Sequence, residues 1–109
     1  MSQQVADNQF GIFTRSFNLI LEALRRRPSI ETAYIFGSRA LGTASPGSDI
    51  DIAVAGPQLD RATVEDLSVE LNERLPIPYY VDVVAYDHLD HRGLKEHIDR
   101  HGVRFYQGD

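Results

Sequence analysis

Apolar and polar positions repeat along this chain with two periods, and the switches between them mark its elements. From about Asn8 to Arg27, Phe13, Phe17, Ile20, Leu21 and Leu24 recur at helical spacing and predict one helix with a single buried stripe. Pro28 ends it, and Arg25, Arg26 and Arg27 fall in the last turn, where solvated cations suit the helix dipole. The apolar run Ala33-Tyr34-Ile35-Phe36 reads as a buried strand. From Asp49 to Val54 the period is two, with Asp49 and Asp51 on one face and Ile50, Ile52 and Val54 on the other. Asp60 or Thr63 can cap the next helix, whose apolar face is Val64, Leu67, Leu71 and Leu75 and which stops at Pro76. Tyr79 to Tyr86 is rich in β-branched and aromatic residues and predicts a third strand. A last helix, about Arg92 to His101, buries Leu94 and Ile98 and ends at Gly102, leaving Val103 to Tyr106 as a short edge strand or a packed tail. Helix, strand, strand, helix, strand, helix implies an α+β fold: a small mixed β-sheet with helices packed on one face, one domain over residues 1–109.

Composition narrows the function classes. A formal net charge of -5 argues against a general nucleic-acid binder, whose footprint is basic. It leaves room for a nucleotide, since a bound metal supplies local positive charge. The absence of cysteine excludes disulfides and thiolate metal sites. The polar start MSQQVADNQ has no apolar signal core, and no apolar run reaches membrane-spanning length, so a cytoplasmic location is expected.

The candidate chemistry sits between the first two strands. Gly37 at the end of a strand lets the backbone turn close to a ligand. Ser38 follows, where free amides and a hydroxyl can hold phosphate oxygens. Asp49 and Asp51 point the same way about 7 Å apart along the strand, and a hard cation such as Mg²⁺ relieves their repulsion by taking oxygens from both. Asp82, in the middle of Tyr-Val-Asp-Val-Val, would be expensive to bury alone and is read as a third carboxylate on the same face. Arg39 either contacts phosphate or faces solvent. Pairing of Asp82 with an arginine, or its simple exposure, stays open as the structural alternative.

Gly37-Ser38, ten residues, then Asp49-Ile50-Asp51 resembles the signature of the polymerase β-like nucleotidyltransferase superfamily. At this length the chain is similar to the minimal nucleotidyltransferases (MNT proteins), many of them antitoxins of HEPN-type ribonuclease toxins. The closing LKEHIDRHGVRFYQ also looks like that family's last helix and tail. The resemblance implies a two-ion Mg²⁺ site on Asp49, Asp51 and Asp82, with ATP as co-substrate and Gly37, Ser38 and Arg39 on the nucleotide. It implies transfer of a nucleoside monophosphate, AMP from ATP, to a hydroxyl of a partner protein, a HEPN-type toxin. No segment is left over for an acceptor-binding domain, so the acceptor is expected to dock as a partner or a second copy, in a homo- or hetero-oligomer.

Two other functions stay open on these residues: a non-catalytic module that neutralises its partner by occlusion, and a nucleotidyltransferase acting on a small, antibiotic-type molecule. His97 and His101 are four apart on the last helix, but no acidic ligand at zinc spacing joins them. All four histidines are read as structural or solvated. Tyr79 and Tyr80 lie beside the proposed site as sheet-packing or base-stacking side chains.

Overall fold

The computed structural model describes residues 5–108; the first residues of the polar start, 1–4, lie outside the described residues. The order is α1 (Thr14–Arg25), β1 (Thr32–Phe36), a short helix α2 (Ser38–Leu41), β2 (Ile50–Ala55), α3 (Arg61–Val69), β3 (Val81–Ala85), α4 (Arg92–His101) and β4 (Val103–Gln107). A π-helical turn, Glu70–Arg74, extends α3, and a 3₁₀ turn, Tyr86–His88, follows β3.

The four strands form one mixed sheet in the order β3-β2-β1-β4. β1 is antiparallel to β2 and to β4, whereas β2 and β3 run parallel. A parallel pair needs a crossover, and α3 supplies it. The tail after Gly102 is therefore an edge strand, and it lies beside β1, with a register irregularity between Ala33 and Tyr34.

Alternation along the strands sorts side chains onto two faces. Ala33, Ile35, Ile50, Ile52, Val54 and Val81 form the main core with Ile20 and Leu24 of α1 and Leu67 of α3. Phe36 and Ala53 point the other way and pack against Ile98 of α4, with Tyr34, Val84 and Leu94 alongside. The mixed α+β sheet holds as expected, and α1 and α3 share one face, but α4 covers part of the opposite face. Asp51 lies two residues before Ala53 and Asp82 two before Val84, so both carboxylates are on the α4 face.

Helix α1 begins at Thr14 rather than near Asn8. The Asn8 side chain folds residues 8–12 into a loop, its Oδ1 accepting the N–H groups of Phe10 and Ile12 at 3.1 Å each and its Nδ2 donating to the Ile12 carbonyl at 2.7 Å. That competition with the helical ladder is what short amide side chains do well. At the other end, the arginine triplet is more than solvated charge. Arg27 reaches Asp66 at 2.7 Å and Glu70 at 2.8 Å, and Arg26 also pairs with Glu70, tying α1 to α3 and its π turn.

The π turn places one polar side chain where the sheet needs it. Leu75 N–H reaches back five residues to the Glu70 carbonyl at 3.0 Å. This widening leaves Asn72 facing β3, where its amide accepts from Val81 N–H and donates to Val81 C=O, both at 2.8 Å. An edge strand otherwise leaves such groups unpaired. Asn72 thus anchors the backbone immediately before Asp82.

Candidate active site

The site is built at the end of the sheet where β1 leaves and β2 enters. β1 stops at Phe36, and Gly37 turns the chain with φ 73° and ψ -152°. This is a region of backbone space open essentially to glycine alone. A side chain there would also meet Asp51: a Cβ on Gly37 would lie 2.3 Å from Asp51 Oδ2. So the turn and the β2 carboxylate are packed directly together. Ser38 follows, half-buried, as the first residue of α2.

Asp49 is exposed just before β2 begins, and Asp51 is half-buried one residue inside it. Asp82 stands opposite Asp51 on the neighbouring parallel strand. Burial pushes the Asp51 carboxyl above its ordinary range, and the negative charges of Asp82 and Asp49 push it further, against smaller opposing effects of His97 and Arg39. Asp82 is exposed, so the expectation of a costly buried carboxylate gives way to a surface one held at the sheet edge. Among the described residues, no three acidic or imidazole side chains converge into a ready-made metal cage. What the strands bring together is the backbone of Asp51 and Asp82, with Asp49 at the mouth.

Arg39 is corrected. It is 3% exposed and takes no part in an open phosphate surface. Its Nε bonds the carbonyls of Ser48 and Asp49, Nη1 those of Phe10 and Gly11, and Nη2 those of Pro46 and Ser48, at 2.7–3.3 Å. A guanidinium has five N–H groups, and here all point to carbonyls, leaving none for a phosphate. Arg39 also lies over the Tyr79 ring, 4.8 Å from its centroid. It clamps the 42–49 loop and the segment before α1 into one piece, fixing the backbone from which Asp49 projects. Arg39→Met should leave those carbonyls without donors and cost about 2–4 kcal/mol. The expected fall in Tm, followed by circular dichroism, is at least about 8 °C at roughly 4–8 °C per kcal/mol; a fall under 3 °C would contradict the clamp.

Tyr79 is buried under that guanidinium, its hydroxyl accepting the Phe13 N–H at 3.0 Å, whereas Tyr80 is 57% exposed. Packing therefore accounts for the first tyrosine. The histidines divide similarly. His91 caps α4, its Nδ1 accepting Leu94 N–H at 2.9 Å, and His88 sits 3.4 Å from the Leu59 carbonyl. His97 is the residue that sequence reasoning missed: its Nε2 accepts the Gly37 N–H at 2.9 Å, at the turn itself. A signal was available in the run 33–36, which is apolar at every position and so implies cover on both faces of β1. A helix carrying His97 is what covers the second.

Known proteins can now be set beside this geometry. A family model described as polymerase beta, nucleotidyltransferase, matches residues 18–109. No curated protein matches the chain. Among solved structures, a Tyr-to-Ala variant of the toxin-antitoxin MntA-HpeT is 29% identical, with a TM-score of 0.67, covering 84% of this chain and 72% of that one. A toxin-antitoxin with AMP-PNP is 26% identical, with a TM-score of 0.65 and coverage of 85% and 72%. A tri-AMPylated Shewanella oneidensis HEPN toxin in complex with MNT antitoxin is 26% identical, with a TM-score of 0.64 and coverage of 85% and 71%. The family match takes in every strand of the sheet, the glycine turn and all three carboxylates, and this chain belongs to the polymerase beta nucleotidyltransferase family.

Proposed function

We propose that this protein is a Mg²⁺-dependent nucleotidyltransferase that moves AMP from ATP to a hydroxyl of a partner protein, a HEPN-type toxin that the modification silences. The observation that carries the reading is the packing of Asp51 against the Gly37-Ser38 turn with Asp82 in register beside it. The similarity to toxin-antitoxin complexes, one with AMP-PNP and one AMPylated, supports the choice of nucleotide and of partner.

Asp49, Asp51 and Asp82 fit a hard cation. They offer oxygen ligands only, and the Asp51 carboxyl, raised first by burial and then by the charges of Asp82 and Asp49, is one whose charged form a cation would favour. Bound there, Mg²⁺ would supply charge stabilisation on the phosphoryl oxygens. The remaining work belongs to the chain. The Ser38 hydroxyl and the turn hold the triphosphate, and Asp82 takes the proton of the attacking hydroxyl. The new bond forms between that oxygen and the α-phosphorus, and the bond to pyrophosphate breaks. Catalysis by the protein is then mostly positioning, on a turn and two strands whose backbones are fixed by Arg39 and Asn72.

The test is purified protein with Mg²⁺ and α-labelled ATP, added to a lysate of its host, beside the Asp49→Asn/Asp51→Asn variant. Label on a discrete protein band, absent with the variant, is the expected outcome. Label on small molecules alone would assign the antibiotic-type activity instead. A partner that co-purifies unlabelled with every nucleotide would make this chain an occluding module.

A further inference from the structure

Resting on that function, we infer that His97 is a positioning residue of the site: from α4 it holds the Gly37 turn in the conformation that packs against Asp51. The contact joins residues sixty apart, His97 Nε2 accepting the Gly37 N–H at 2.9 Å. Gly37 needs such a restraint more than any other residue in the site. Its φ of 73° and ψ of -152° belong to a region that glycine enters at no steric cost, so glycine leaves it just as readily. Its backbone N–H is the group whose direction defines the turn, and an imidazole acceptor fixes that direction. The consequence reaches the carboxylate through space, because the position of a Gly37 Cβ is already taken by Asp51 Oδ2 at 2.3 Å. A small rotation of Gly37 would open or close that contact.

His97 is itself well held. Its ring packs edge-on to Phe36, with centroids 6.1 Å apart, and against His101 at 5.2 Å. One residue on, Ile98 is buried against the sheet with Phe36 and Ala53, so α4 cannot shift without disturbing that small core. An acceptor at Nε2 places the ring proton on Nδ1, the tautomer in which the imidazole can receive the Gly37 N–H. The sequence from α4 to chemistry is therefore His97 ring, Gly37 peptide, Asp51 carboxylate.

Two substitutions separate this role from plain packing. Gln places its Oε1 as many bonds from Cα as Nε2 and can accept the same N–H; Met has similar length and no comparable acceptor. Kd for AMP-PNP with Mg²⁺ and the Gly37 amide resonance would be measured in wild type, His97→Met, His97→Gln and, as a control away from the site, His88→Met. His97→Met should move the Gly37 resonance and weaken AMP-PNP binding about tenfold, the equivalent of ~1.4 kcal/mol, or one hydrogen bond. His97→Gln should recover binding to within about threefold on the same scale, and His88→Met should bind as wild type. Wild-type affinity in His97→Met, or equal losses in Met and Gln, would overturn the role while leaving the proposed function standing. Wild-type protein that binds no AMP-PNP would overturn the function and this role together.

Discussion

Gly37→Ala is expected to lower AMP transfer by more than a hundredfold and to destabilise the fold at the same time. Two effects combine. The backbone conformation, φ 73° and ψ -152°, costs a non-glycine residue about 1–3 kcal/mol. The new methyl would also stand 2.3 Å from Asp51 Oδ2, so the carboxyl must leave its place. Misplacing a reacting group by about 1 Å is enough for a loss of about a hundredfold. Gly42 supplies the control. It too has positive φ, 78°, with ψ 17°, but nothing lies within 4 Å of where its Cβ would be. Gly42→Ala should lose about 1 kcal/mol of stability, as left-handed backbone does, and keep its transfer rate. Thermal melts and transfer assays on both variants check this. Equal losses of transfer in the two would show that strain in the loop, and not the contact with Asp51, is what matters.

That contrast shows where sequence was enough and where it was not. The strand from Asp49 onward was legible because alternation is local: Ile50, Ile52 and Val54 declare their face, and the aspartates take the other. The Gly37-Ser38 turn was legible for the same reason, as a break between two apolar runs. Arg39 was not. Its partners lie on Phe10 and Gly11, some thirty residues away, and on the 46–49 loop, and no periodicity announces that a guanidinium will satisfy five backbone carbonyls. Asp82 was singled out because burying it would be costly; it does stand in register with Asp51, but the edge strand leaves it exposed, so that argument does not hold. Asn72 depended on a π turn, which adds one residue to a helix whose apolar stripe, Leu67, Leu71 and Leu75, looks regular. His97 depended on which face α4 covers, a decision made by Leu94 and Ile98 together with Tyr34 and Phe36 sixty residues earlier.

Asp51→Asn should abolish transfer and yet stabilise the protein. The carboxyl of Asp51 is raised by burial and then by Asp82 and Asp49, which means that its charged form is disfavoured in the folded state. The folded chain holds this proton more tightly than the unfolded chain. The favourable contribution is therefore complete below the unfolded pKa and is lost as pH rises through the folded one. Once ionised, the carboxylate faces Asp82 and Asp49, and an amide of the same shape removes that repulsion. Because Asp51 is only half-buried, solvent screens much of the effect, leaving about 0.5 kcal/mol, or roughly 2–4 °C in Tm. The gain should be largest at neutral pH and above without Mg²⁺ and shrink as pH falls through the raised Asp51 pKa, where the wild-type carboxyl takes up its proton. Mg²⁺ should raise the wild-type Tm more than that of the variant, since only the wild type keeps the full set of carboxylates. A variant that melts below wild type at pH 7 would mean that Asp51 holds the turn rather than being held there against its charge. A residue that weakens the fold and is needed for transfer is the kind of exchange of stability for activity expected where like charges are gathered for a substrate.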